Sequence, residues 1–185
     1  MRYRGTMVPI SINDATDESG DRASSRAEGS AAGETLSLPE WARTVLSTAP
    51  VAYVGMTDQD GPYVVPVSFV YTGEEILFHG GPGKKSLALE RDARVCVAIT
   101  ADLAFVLGAT PCKDMFDYRS VLVYGVTRRL RTPSEIEEAL RLITGKYDLR
   151  GAEAAFDAVA LERTWVHAVQ IRDITCKGGP PSDTP

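Results

Sequence analysis

From Val51 onward the chain is built of apolar runs too short for helices, each closed by a turn. Runs of this length, met one after another without long crossovers, pair as neighbouring antiparallel strands. "VAYVGMTD" reads as a strand, "DQDGP" as a turn, and "YVVPVSFVY" as the second strand of a hairpin. "TGEE" then turns into "ILFH", the third strand, followed by a helix at "KKSLALERD" and a fourth strand at "RVCVAIT". "DLAFVLGATPCKDMFD" reads as a short strand and a loop, "YRSVLVYGVTRRLR" as a long strand, and "TWVHAVQIRDITCK" as the closing one. Helices fill the gaps. Ser37-Leu38-Pro39-Glu40 and Thr132-Pro133-Ser134-Glu135 both have the spacing of a capping box. The second opens a helix with Ile136, Ala139, Leu140, Ile143 and Tyr147 on one face, and "GAEAAFDAVALER" reads as another helix. The expected class is mainly β with short helices (α+β), closed or nearly closed into a small barrel.

The remaining sequence bounds the function. Residues 11–35 are rich in Ser, Ala, Gly, Asp and Glu, so 1–36 is expected to be a flexible tail. Residues 37–177 form the domain, and 178–185 a C-terminal tail. A net charge of -5 argues against a nucleic-acid partner, which needs a basic footprint. No apolar run approaches the roughly 20 residues of a membrane span, and no secretory leader is evident. Cys96, Cys112 and Cys176 are far apart in sequence, which fits a reducing cytoplasm. His79 and His167 are the only histidines, without a second histidine or a carboxylate at ligand spacing, so no metal site is expected. A Gly-x-Gly-x-x-Gly motif, a Walker sequence and a serine-hydrolase elbow are all absent.

Three features break the ordinary strand pattern. "HGGPGKKS" joins a strand to a helix through glycines and lysines. Lysines in a first helical turn oppose the helix dipole unless an anion is bound there. The alternative is two surface lysines in a glycine loop. Pro66 sits inside a strand and gives no N–H to a ladder, so it belongs on a sheet edge or at a break in pairing. That edge either serves a planar ligand or is simply protected by the proline. Arg119 in "YRSVLVYG" leads an apolar face shared with Val121 and Val123. Either an anion pairs with it or it is a solvated strand end.

In this order and spacing, "GPYVVPVSFVYTGEEILFHGGPGKKSLALERDARVCVAI" and "DYRSVLVYGVTRRLRTPSEIEEALRLITGKY" resemble the pyridoxamine 5′-phosphate oxidase-like family. More closely, they resemble its nitroimidazole-resistance (Nim) flavoprotein branch. The resemblance covers about residues 37 to 177. It implies a split β-barrel homodimer holding FMN in clefts between subunits. By the same resemblance, backbone groups of Val65, Pro66 and Val67 line the flavin ring. His79, Gly80, Lys84, Lys85 and Ser86 surround the phosphate end. Tyr118, Arg119 and Ser120 lie near the same cleft. Trp165 covers the ring or is a core or interface residue. A second set of cations for a substrate phosphate has no evident counterpart, so pyridoxamine phosphate is not the expected substrate. The implied function is an FMN-dependent reductase or oxidase of a small organic molecule, nitro-aromatic or natural-product-like, with NAD(P)H as the donor for a reductase. Two other readings stay open: a flavin- or haem-binding sensor without turnover, and a deazaflavin-dependent reductase.

Overall fold

The computed structural model describes residues 24–27, 38–107, 109–148 and 156–178. Its elements in chain order are β1 (Ser24–Ala27), α1 (Glu40–Thr48), β2 (Ala52–Asp58), β3 (Gly61–Val67), β4 (Phe69–Tyr71) and β5 (Glu75–Gly80). There follow α2 (Lys84–Arg91), β6 (Arg94–Val106), a 3-10 turn (Pro111–Lys113), β7 (Met115–Arg129), α3 (Pro133–Tyr147), α4 (Ala158–Arg163) and β8 (Trp165–Lys177). The strands form one curled antiparallel sheet in the order β3-β2-β6-β7-β8-β5-β4, with β1 added alongside β8. This is a split β-barrel with short helices, the expected class. No described helix is long and apolar enough to cross a membrane.

Alternation places the core. Val54, Val97, Ile99, Val121, Val123 and Ile174 all point inward from neighbouring strands and are fully buried. Helix α1 closes this side with Ala42, Val45 and Leu46. A second cluster sits under α3, where Ala139, Leu140 and Ile143 pack on Leu77, Val166 and Ala168. Of the expected helix face, Tyr147 alone is exposed, yet it is anchored. Its hydroxyl accepts from Phe69 N–H (2.9 Å) and lies 2.8 Å from the Pro50 carbonyl, pinning β4 to the end of α3. Thr132 caps α3 as its box predicts, with the Glu135 side chain returning to the Thr132 N–H.

Several expectations are corrected. The run "YVVPVSFVY" is two strands, not one. β3 ends at Val67 on one edge of the sheet, and β4 starts at Phe69 and pairs with β5 at the opposite edge. The crossover falls at Ser68, two residues after Pro66, whose strand does lie at the sheet edge. "DLAFVL" does not form a separate strand but extends β6 into a long hairpin with β7. Helix α1 starts after Pro39 with no side-chain cap, and Ser37 lies outside the described residues. Of "GAEAAFDAVALER", the helix is Ala158–Arg163, capped by Asp157, and 151–155 lie outside the described residues. Within the segment expected to be a free tail, Ser24–Ala27 pairs with Ile174–Lys177 of β8. The free edge of β8 offers backbone partners there, so the attachment needs no apolar side chains. The three cysteines are unpaired, Cys112 exposed and Cys176 buried.

Candidate functional site

The strand β5 delivers His79 and Gly80 to the start of a glycine loop, and α2 begins immediately after it at Lys84. Gly83 is the N-cap, no side chain caps the helix, and its first turn holds no acid. The first N–H groups of a helix have no internal partners, so this end presents free donors and a positive dipole. A Cβ added to Gly83 would meet nothing within 4 Å, and one on Gly81 would just reach Arg163 O at 4.0 Å. The loop therefore has an open outer side.

The two lysines differ. Lys84 reaches back to the β2–β3 turn, pairing with Asp58 (2.8 Å) and Asp60 (3.6 Å) above the Tyr63 ring. Its bond to Asp58 raises the Lys84 pKa and lowers that of Asp58. Lys85 donates to the His79 carbonyl (2.9 Å) and lies 5.3 Å from the centre of the Phe78 ring. Burial pulls its pKa down. Burial, followed by the Lys85 charge, also holds His79 below its usual value.

Ser86 departs from expectation. Its side chain faces inward and is fully buried. Its hydroxyl donates to the Gly81 carbonyl (3.0 Å) and stands 3.3 Å from His167 Nε2. With the hydroxyl proton committed to Gly81, His167 Nε2 carries a proton towards Ser86. Ser86 thus fastens the loop from beneath instead of lining its open side.

His167 of β8 is the buried anchor of this network. It is 1% exposed and stacks on Phe78 at 5.3 Å. Burial, followed by the charges of Lys85 and Arg129, pushes its pKa down to about 4. The unfolded chain takes up this proton near pH 6.5, whereas the folded chain resists it. The neutral imidazole's contribution is therefore complete above about pH 6.5 and lost as the pH falls towards 4, by up to about 3 kcal/mol. Urea midpoints from pH 7 to 4.5 should fall more steeply for the wild type than for His167→Gln. Parallel profiles would refute this assignment.

The structure brings most of the predicted site together. Lys84 touches Tyr63 of β3, so the loop lies beside the edge strand that carries Val65, Pro66 and Val67. Trp165 pairs with Gly80, and the Arg129 guanidinium lies 3.3 Å from the centre of its ring. Tyr118, Arg119 and Ser120 are elsewhere. Ser120 is level with Lys177 of β8 while His79 is level with Val166, a separation of about 35 Å along the strand. Sequence reasoning missed Asp58 and Asp60 as partners of Lys84, and Arg129 as the partner of Trp165. Long-range pairs of this kind leave no local signal. Among the described residues no group of three or more His, Cys, Asp or Glu side chains is placed to hold a metal.

A sequence profile of the family described as pyridoxamine 5′-phosphate oxidase matches residues 40–177. Among solved structures, the chain is similar to one from Bacteroides thetaiotaomicron described as a candidate 5-nitroimidazole antibiotic resistance protein. Identity is 25%, over 77% of this chain and 84% of that one, with a TM-score of 0.65. It is similar to an FAD and haem binding protein from Mycobacterium smegmatis at 26% identity, over 82% of this chain and 76% of that one (TM-score 0.69). The flavocytochrome Anf3 from Azotobacter vinelandii shares the fold at 24% identity, over 77% of this chain and 68% of that one (TM-score 0.67). No curated protein matches the chain in sequence.

Proposed function

We propose, since the chain belongs to the pyridoxamine 5′-phosphate oxidase family, that it is an FMN-dependent oxidoreductase acting on a small organic molecule. The observation that carries this reading is the uncapped start of α2, open on its outer side and flanked by Lys85. Backbone donors, a helix dipole and a cation are the groups a phosphate monoester requires. The edge strand β3 beside it has one side unpaired among the described residues, and Pro66 keeps that side from recruiting another strand. The residues present therefore fit FMN.

Each part of the site then has a role. Lys85 and the α2 N–H groups hold the phosphate. Ser86 and His167 keep the loop in shape. Backbone groups of Val65 to Val67 orient the ring, and Trp165 borders it from the start of β8. Bound FMN would supply the hydride or electron chemistry, and NAD(P)H is the proposed donor.

The proposed unit is a homodimer with the cofactor between subunits. Tyr118, Arg119 and Ser120 lie too far along the sheet to serve the same protomer's loop, and a second copy would supply them. The outer face of the sheet suits such a contact. Val64, Gly55, Cys96 and Tyr124 form one row across β3, β2, β6 and β7, and Pro66, Tyr53, Ala98 and Leu122 form the next. Val64 is 61% exposed and Tyr53 49%. A contiguous apolar patch of this kind favours a partner.

His79 at the end of β5, partly shielded yet still open to solvent, favours a second reading, haem or flavin binding without turnover, because an imidazole there could ligate iron. An absorption spectrum of the purified protein, with the extracted chromophore compared with FMN, FAD, a deazaflavin and haem, tests both. Released FMN, together with NAD(P)H-dependent bleaching, is the expected result. A haem spectrum, or flavin that no donor reduces, favours the second reading. Light scattering should give twice the 20.0 kDa chain mass.

A further inference from the structure

A cavity of about 360 Å³ opens beside the C-terminal half of α2, the end away from the glycine loop. Leu89, Thr127 and His167 form its walls, and Arg129, Arg131 and Glu90 supply its charge. From this arrangement we propose that the cavity is a second, separate binding site for a small oxyanion, the carboxylate or phosphate group of a metabolite-sized ligand.

The charges do not balance. Arg129 approaches Glu90 at 3.1 Å and Arg131 approaches it at 3.5 Å, both on the single oxygen Oε1. Two guanidiniums therefore share one carboxylate and leave a surplus positive charge. Each guanidinium carries five N–H donors in a planar fork, far more than one shared oxygen can use. Arg129 is also held still. Its side chain is 21% exposed, and its guanidinium lies face-on to Trp165 at 3.3 Å. A stacked guanidinium keeps its donor edge free for bidentate contact with an oxyanion. Arg131 is the exposed member, its side chain 68% accessible at the mouth of the pocket. The volume, at the low end for ligand pockets, suits a small molecule and not a dinucleotide. The buried imidazole of His167 is held neutral beside this cluster, so the cationic charge of the pocket comes from the two arginines.

In this site Glu90 is a resident competitor. That gives a test whose sign a purely structural ion pair would not share. Trp165, beneath Arg129, is the reporter, and its indole N–H signal in a nitrogen–proton correlation spectrum is identified by its loss in Trp165→Phe. The full chain is titrated with inorganic phosphate and with acetate at constant ionic strength. One or both should shift the Trp165 signal saturably. Arg131→Gln, a change at an exposed side chain, should weaken binding about ten-fold, the loss of one charge-assisted contact. Glu90→Gln should tighten it several-fold. Lys84→Ala/Lys85→Ala should leave it unchanged, which separates this site from the proposed cofactor loop whether or not that loop binds FMN. A response to acetate alone marks a carboxylate ligand, and one to phosphate alone a phosphate ester. A linear or absent shift overturns the proposal. So does equal affinity in Arg131→Gln, or weaker binding in Glu90→Gln.

Discussion

Replacing Lys85 with alanine should weaken FMN binding about 30-fold, the loss of one charge-assisted hydrogen bond of about 2 kcal/mol. Riboflavin, which lacks the phosphate, should bind almost as before. The neighbouring Lys84→Ala should cost FMN much less. Lys84 already faces Asp58 and Asp60, and a phosphate drawing on its charge must compete with two carboxylates. The amine of Lys85 instead rests on a backbone carbonyl, a neutral partner that leaves its charge available. Flavin-fluorescence titrations of the two single variants with both flavins decide the matter. Equal FMN losses would mean that the Asp58 pair opens on binding. An unchanged Lys85→Ala would leave the helix N–H groups as the whole phosphate site. Equal losses for FMN and riboflavin would show damage to the loop itself.

Gly125→Ala should destabilise the fold by about 3 kcal/mol, at the upper end of the usual cost of overpacking. Gly125 lies where the β7–β8 register slips, Tyr124 pairing with Asp173 and Gly125 with Ile171. At this bulge the two backbones come unusually close. A Cβ on Gly125 would lie 2.5 Å from the Gln170 carbonyl oxygen and 2.7 Å from Val169 Cγ1. The oxygen belongs to a central strand paired on both sides, so it cannot retreat without breaking ladder bonds. Gly145 in α3 provides the opposite case. A Cβ there would meet nothing within 4 Å, and the backbone is already helical. Gly145→Ala should therefore stabilise the protein by about 0.7 kcal/mol. Urea denaturation of the two variants should move the midpoint in opposite directions. A neutral Gly125→Ala would mean that the bulge relaxes freely.

What could be read from the sequence was whatever depends on neighbours in the chain. The Thr132 capping box spans four residues and was legible whole. The glycine loop leading into α2 was legible for the same reason, as was the edge position of Pro66, since a missing N–H constrains pairing wherever the strand lies. The break at Ser68 was not, because alternation continues smoothly from β3 into β4 although the two strands lie at opposite edges of the sheet. The family resemblance implies a phosphate contact for Ser86. Which way it faces depends on His167, 81 residues away. Lys84 and Lys85 are adjacent and chemically identical. Only the fold, by bringing the β2–β3 turn against α2, makes one neutralised and the other available.

The short strand β1 has a consequence of a different kind. It meets β8 through four residues, Ser24–Ala27, of the sequence "SSRA", which has little affinity for strands of its own. Backbone pairing does not depend on side-chain identity, so the slot beside Ile174–Lys177 would accept nearly any extended peptide. What favours the chain's own segment is the covalent tether, which keeps it at an effective concentration of about millimolar order. A foreign strand must outcompete an occupant that never diffuses away. Ser24–Ala27 thus fills the edge of β8 beside Ile174–Lys177 that a foreign strand would need.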